Sequence, residues 1–244
     1  MKKLDTYDPS FFEQLKKAEE QYFWFHIRRK WIFDRMRKFS PPPAKVLEVG
    51  CGTGNVSSYL ALKGYSVTGC EFYNDAIHLA WPGFLRVQGD VTALPFADNS
   101  FDIVGLFDLI EHFQDDSIPL KEAIRVVREG GIIMVTVPAR EELWSWADEV
   151  SLHKRRYTIK KLEQSFLSLE LRPFVIQYMF MSLYIPMKYT RRINKKKDDF
   201  FMLHGLLNTA LKGILDIERT ISKGLPLPIG TSLIAVAKKN SSIN

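Results

Sequence analysis

Apolar residues at Phe11, Phe12, Leu15, Ala18, Tyr22 and Phe23 recur at three- and four-residue steps, so residues 9–39 read as helix. Pro41-Pro42-Pro43 ends that pattern, and a different period follows. Short apolar runs at residues 45–49, 65–70, 84–88, 101–106 and 131–137 read as strands. Helical patterns at 55–63, 74–81 and 118–127 fall between them. Such alternation predicts a doubly wound α/β fold whose sheet is mostly parallel, with right-handed crossovers. Beyond Pro138 the pattern loosens. Residues 144–156 read as a loop or broken helix, 158–167 as a helix capped by Thr158, 173–181 as a sixth strand and 232–237 as the last strand. Residues 182–225 interrupt the sheet.

This divides the chain into an N-terminal helical cap (1–40) and a larger domain (41–244) with a helical insertion at about 182–225. A length of 244 residues suits one domain with such additions. With 46% hydrophobic and 25% charged residues, the composition excludes a disordered chain, a collagen-like fibre and a polytopic membrane protein. Lys and Arg number 34 against 28 Asp and Glu, a net charge of +6 that permits an anionic partner without requiring one. The positive charge gathers at residues 28–38, 154–156 and 188–197, outside the glycine-rich segment described next. Two cysteines, Cys51 and Cys70, are too few for a disulfide framework, so a cytoplasmic setting is expected. The first residues lack the apolar core of a signal peptide.

The strongest chemical signal is Val46-Leu47-Glu48-Val49-Gly50-Cys51-Gly52-Thr53-Gly54, a strand running into three glycines and then a helix. Such a loop lets backbone approach a ligand closely and aims helix N-terminal N–H groups at it. It is not the G-x-G-x-x-G of dinucleotide binding, because the third glycine comes one residue early and Asn55 holds its place. That argues against a nicotinamide oxidoreductase. No G-K-[ST] follows, which excludes a P-loop. A plain strand–helix turn is the simplest alternative.

With its acidic residue ahead of G-x-G-x-G, this segment resembles the first motif of class I S-adenosylmethionine-dependent methyltransferases. The resemblance covers roughly residues 44–140 and more loosely extends to about 170. It implies a Rossmann-like, seven-stranded, mostly parallel sheet and S-adenosyl-L-methionine as cofactor. Glu48, Gly50, Cys51, Gly52 and Gly54 would form the cofactor loop. Glu71, followed by Phe72, stands at the end of the second strand, where the family places the carboxylate that holds the ribose hydroxyls. Asp90, followed by Val91, matches the residue that contacts the adenine amino group. The run Leu94-Pro95-Phe96-Ala97-Asp98-Asn99-Ser100-Phe101-Asp102-Ile103-Val104 and Gly130-Gly131 also fit the family. Relatives often carry an N-terminal aromatic pair and arginine over the cofactor, which suggests Arg28 or, preferentially, Arg29 for the methionine carboxylate.

In that chemistry the methyl group arrives activated, and the protein must align the acceptor and exclude water. Asp108, Glu111 and His112 follow the fourth strand, and His153 comes later. They are the candidate catalytic residues, with His112 as base and a carboxylate orienting it. Asp108 is also counted among the cofactor contacts. In small-RNA 2′-O-methyltransferases and some quinone-pathway O-methyltransferases, a similar E-x-x-E-H with a later histidine binds a divalent metal. Here Asp108 replaces the first glutamate, so a site without metal is the main expectation. A metal held by Asp108, Glu111, His112 and His153 is the lesser one. His26, His78 and His204 have no metal-ligand spacing. The segment His153-Lys154-Arg155-Arg156-Tyr157-Thr158 resembles one that covers the acceptor in many relatives. His153, Arg155 and Tyr157 are expected to line the pocket, unless Arg155 and Arg156 pin a loop by pairing with Asp148 and Glu149.

Residues 174–190 are apolar and aromatic, and Arg191, Arg192, Lys195, Lys196 and Lys197 follow. Phe200-Phe201-Met202-Leu203 precede a helical pattern over 206–221 with apolar Leu207, Leu211, Ile214 and Leu215. Pro186 and Lys188 break the first run too early for it to span a bilayer. An apolar face with a basic edge suits a membrane interface, and a lid over the acceptor is the other reading. The expectation is methyl transfer to an oxygen of a small-molecule or lipid-like acceptor, in the cytoplasm with peripheral membrane contact. The alternatives are a non-catalytic S-adenosylmethionine-binding regulatory or partner subunit and a metal-dependent RNA 2′-O-methyltransferase. Nucleic acid is disfavoured because no RNA-binding module is recognisable.

Overall fold

The structure, a computed structural model, describes residues 10–193 and 205–240. Lys195, Lys196, Lys197, Phe200, Phe201, Met202, Leu203 and His204 lie outside the described residues, as does the side chain of Arg192.

The N-terminal stretch is two helices rather than one, α1 (Ser10–Gln21) and α2 (Phe23–Phe39). They part at Tyr22, whose backbone is extended (φ −93°, ψ 136°). The break lets two apolar faces that do not align bury separately. Phe12 of α1 packs toward Tyr73, whereas Phe23, Ile27, Trp31 and Ile32 of α2 enter the main core.

The strands are β1 (Lys45–Val49), β2 (Ser66–Glu71), β3 (Leu85–Gln88), β4 (Phe101–Phe107), β5 (Val127–Pro138), β6 (Pro173–Met179) and β7 (Ser232–Lys238). They form one seven-stranded sheet in the order β3-β2-β1-β4-β5-β7-β6. The first five pair in parallel, and β7 runs antiparallel to β5 and β6. The central strands read as continuous apolar runs because both sheet faces are covered, and Val46, Leu47, Ile103, Val104, Ile133 and Val135 are fully buried. β5 begins four residues earlier than the apolar pattern implies, because its pairing with β4 passes through a register shift between Phe101 and Ile103.

Helices α3 (Asn55–Leu62), α4 (Asn74–Leu79) and α5 (Ser117–Val126) connect the parallel strands. Between β5 and β6 lie α6 (Trp146–Val150) and α7 (Ile159–Leu167). A capping box starts α6, with Ser145 and Asp148 as its two members. Thr158 caps α7 by accepting the Lys161 N–H at 3.2 Å. The segment before β7 is helical, with α8 (Tyr184–Ile193) and α9 (Leu206–Ile221).

Cap and insertion join. Lys30 of α2 pairs with Asp216 of α9 at 2.9 Å, Asp34 pairs with Arg219, and Arg35 donates to the Ser222 carbonyl at 2.5 Å. The strand order reverses at β1 and β4, and the crevice at their carboxyl ends is where an open α/β sheet accepts a ligand.

Candidate active site

A cavity of about 730 Å³ occupies that crevice. The glycine loop and the ends of β2 and β4 form its floor, and α1 and α2 roof it with Phe12, Leu15, Glu19 and Trp24. Of the expected cofactor residues, Glu48, Gly50, Cys51, Gly52, Glu71, Phe72, Asp90, Val91 and Asp108 all line it.

Gly52 and Gly54 have different duties. Both have left-handed backbones, φ +54° and +77°. A Cβ on Gly52 would meet nothing nearer than Leu15 Cδ2 at 3.9 Å, so this position opens to the cavity. A Cβ on Gly54 would overlap the Phe84 ring. Gly54 therefore lies behind the cavity wall, where it lets the start of α3 pack on that ring.

Two carboxylates hold the loop. Glu71 accepts the N–H groups of Gly52 (2.8 Å), Phe72 (2.8 Å) and Tyr73 (3.0 Å). Burial still raises its pKa, against those three bonds. Glu48, at the end of β1, accepts from Ser57 Oγ at 2.5 Å, and burial lifts its pKa to about 7. Asp90 accepts from Thr92 N and Oγ1, both at 2.8 Å.

Glu19 joins the roof to the loop. It accepts from Thr53 Oγ1 at 2.6 Å and from Trp81 Nε1 at 2.8 Å, and burial raises its pKa. The sequence reading missed this residue. Its signal was a lone acid on the apolar face of α1, at the 12, 15, 19 spacing that follows Phe12 and Leu15.

The arginine that reaches the cavity is Arg28, not Arg29. Neighbouring residues on a helix are about 100° apart, so only one of the pair can point inward. Arg28 is buried, donates to the Phe107 carbonyl at 2.9 Å and lies 2.5 Å from Asp108 Oδ2. Arg29 turns away to His26 Nδ1 (2.9 Å) and the Tyr59 ring (5.0 Å).

Asp108 has a left-handed backbone (φ +55°) and donates its N–H to the Thr136 carbonyl at 2.9 Å. Its carboxylate faces Arg28 rather than the histidines. Glu111, His112 and His153 do come together, with candidate ligand atoms all within 4.8 Å of one another. Glu111 is fully buried, and neither carboxylate oxygen has a hydrogen-bond partner. Burial, reinforced by Asp108, pushes its pKa well above the usual carboxylate range. Burial and the nearby His153 push His112 down to about 4, and the two rings meet edge to face at 4.8 Å.

The carboxylate-oriented imidazole is His153. Its Nδ1 lies 3.0 Å from Asp148 Oδ1, while Nε2 stands 3.9 Å from Glu111 Oε1. Arg156 grips the same Asp148 through Nε (2.9 Å) and Nη2 (3.0 Å). Burial favours the protonated acid, but the His153 hydrogen bond and Arg156 win and hold Asp148 at about 2. Asp148 was foreseen only as a loop pin. The capping-box spacing Ser145-x-x-Asp148 marked it as a fixed position. Arg155 and Tyr157 do not line the cavity. Arg155 bonds the carbonyls of Phe113 (2.9 Å) and Gln114 (2.5 Å), and the buried Tyr157 donates to Asp116 at 2.8 Å.

The sequence profile of the family described as "Methyltransferase domain" matches residues 47–135. This chain carries a class I S-adenosylmethionine-dependent methyltransferase domain. The methyltransferase domain is 32% identical over 126 residues to a probable S-adenosylmethionine-dependent methyltransferase of Mycolicibacterium smegmatis, covering 50% of this chain and 48% of that one. It is 38% identical over 102 residues to the 2-methyl-6-phytyl-1,4-hydroquinone methyltransferase of a Synechocystis species, covering 39% and 32%. The chain thus spans half or less of the length of these relatives. A solved methyltransferase structure from Methanosarcina mazei shares the fold, with a TM-score of 0.57, 17% identity and coverage of 85% and 98%.

The cavity of the methyltransferase domain fits the family's cofactor in its donor set. Asn55 is buried with both amide atoms unbonded, Arg28 Nε lacks a hydrogen-bond partner, and Asp108 Oδ2 is held by the Arg28 guanidinium at 2.5 Å. All three residues line the cavity beside Glu48, where a zwitterionic amino-acid moiety finds both signs of charge.

Proposed function

We propose that this chain transfers a methyl group from S-adenosylmethionine to a hydroxyl oxygen of a lipid-like acceptor. The observation that carries this reading is one cavity that brings three kinds of lining together. They are the glycine loop with its acidic strand ends, the Asp148-held His153, and the apolar Phe113, Leu183 and Met187. The Synechocystis relative is named for a hydroquinone bearing a phytyl chain, which is an acceptor of this character.

When bound, S-adenosylmethionine supplies a methyl group already activated on a sulfonium. Glu48, Asn55, Arg28 and Asp108 would hold its amino-acid part, and Glu71 and Asp90 its nucleoside. Asp148 accepts the Nδ1–H of His153, which assigns the tautomer and leaves the Nε2 lone pair toward the cavity. Nε2 is then placed to take the proton of an acceptor hydroxyl, and Asp148 stabilises the imidazolium that results. His112, held near 4, stays neutral at physiological pH and is the weaker base. The latched α1 roof keeps water out while the acceptor is aligned.

The test is release of S-adenosylhomocysteine with hydroquinones that carry or lack an isoprenoid tail. Tail-dependent release, lost in His153→Gln, supports the proposal. Tight S-adenosylmethionine binding with no turnover on any hydroxylated lipid overturns it in favour of a regulatory or partner subunit.

A second reading rests on the unbonded, buried Glu111 carboxylate beside two imidazoles. A divalent cation would be held by Glu111, His112 and His153, with Asp148 orienting His153, and would polarise the acceptor oxygen. Loss of turnover on chelation, restored by Mg²⁺, Mn²⁺ or Zn²⁺, supports this reading. Unchanged turnover rejects it.

A further inference from the structure

Helix α9 buries one face and leaves a second apolar face in water. Inward, Leu215 is buried, Leu211 packs against the core, and three charged side chains are engaged. Asp216 pairs with Lys30, Arg219 with Asp34 and Asp216, and Glu218 accepts the N–H groups of Met181 and Ser182, both at 2.7 Å. Its outward face carries no charge. Leu207, Ala210, Ile214, Ile217 and Ile221 follow at steps of three and four residues and make one continuous stripe. Only Thr209, Gly213 and Thr220 vary its chemistry. Ile217 is 64% exposed, and Leu206 and Leu225 extend the stripe at 90% and 64%. A folded protein gains nothing by holding this many large apolar side chains in water, so the face has a partner.

The stripe is tied to the acceptor side of the cavity. The Glu218 bonds fix α9 to the turn from which α8 starts. On α8, Met187 and Arg191 line the cavity while Ile185 and Tyr189 are exposed at 75% and 68%. The charge balance selects the partner. Two copies of a chain with net charge +6 repel each other, whereas anionic lipid attracts it. The sequence joining α8 to α9 adds Lys195, Lys196 and Lys197. Among the described residues no helix is long and apolar enough to cross a membrane, but at about 24 Å α9 is long enough to lie along one.

We propose that α9 lies in the headgroup–acyl boundary of an anionic bilayer, with Leu207, Ile214, Ile217 and Ile221 facing the acyl chains. The α8 wall of the cavity then stands next to the lipid. That an acceptor enters there from the bilayer rests on the lipid-like acceptor proposed above; the docking itself does not.

Flotation of the full chain with vesicles, in the absence of cofactor, tests this. The wild type is expected to float with phosphatidylglycerol–phosphatidylcholine vesicles and much less with phosphatidylcholine alone. The variant carrying Ile214→Ser, Ile217→Ser and Ile221→Ser should lose vesicle partitioning by about tenfold or more. Its circular dichroism and S-adenosylmethionine affinity should be unchanged, because these side chains are exposed and remote from the cavity lining. Equal flotation of variant and wild type overturns the proposal, as does failure of the wild type to float. A wild-type dimer that the substitutions dissolve, without vesicle binding, assigns the face to a second copy and also overturns it. Vesicle binding without turnover on lipid-like acceptors would count against the proposed acceptor alone.

Discussion

Asp148 Oδ1 lies 3.0 Å from Nδ1 of His153, which aims the opposite imidazole nitrogen into the cavity beside Glu111. The same carboxylate is the counter-ion of the buried Arg156. Substitution therefore has two separable effects. His153→Gln should lower kcat by about 10²–10⁴-fold with S-adenosylmethionine binding preserved, as removal of a positioned base does. Asp148→Asn should also destabilise the fold, by about 3–5 kcal/mol, because Arg156 is left buried without its partner. Steady-state kinetics and urea unfolding of the two variants separate these effects.

Glu48 gives a pH signature. Burial raises its pKa to about 7, so the folded chain keeps a proton that the unfolded chain releases from about 4.5 upward. That contribution is fully present below about 4.5 and is lost as pH rises through about 7. Glu48→Gln, neutral at all pH values, should gain on wild type across this window by at most about 3 kcal/mol. Urea unfolding at pH 4.5 and pH 8 without cofactor measures the difference, and a pH-independent gap would refute it.

The Glu19 latch should control cofactor release. Glu19→Gln keeps the shape but weakens a charge-assisted pair of bonds to Thr53 and Trp81. We expect about tenfold faster S-adenosylmethionine dissociation, the equivalent of about 1.4 kcal/mol. Stopped-flow Trp fluorescence reads both the release and the altered Trp81 environment.

Two alanine substitutions in the glycine loop should separate. Gly52→Ala meets open space and carries only left-handed strain, about 1–2 kcal/mol. Its larger effect should be on cofactor affinity, since it fills the cavity floor. Gly54→Ala adds overlap with the Phe84 ring to the same strain and should cost about 3 kcal/mol or more of stability. Thermal melts and titrations of both variants check the contrast.

The sheet was legible because its central strands are buried on both faces and so read as unbroken apolar runs. That Glu48, Glu71 and Asp90 line the cavity was legible through the motif resemblance, because each stands at or just after a strand end at the family's interval. Other features depend on contacts between segments far apart in sequence. Nothing within α2 distinguishes Arg28 from Arg29, and the choice is made by Phe107 and Asp108, about 80 residues later. The division between α1 and α2 was hidden because apolar residues continue through Tyr22. The apolar residues of α9 divide between two faces, which the sequence does not show: Leu215 is buried and Leu211 packs against the core, whereas the pairing of Asp216 and Arg219 with α2 leaves Leu207 and Ile214 exposed.

The place of β7 in the sheet order has a consequence for synthesis. Among the described residues β6 pairs with β7 alone, so residues 173–179 have no strand partner there until residues 232–238 have been made. During that interval the edge of β5 is also open, and both α8 and α9 are already translated. The α8 wall of the cavity is thus made before the sheet that anchors it can close. A ribosome-arrested chain ending before Ser232 should be cleaved by protease within β6, while the β1–β4 core resists.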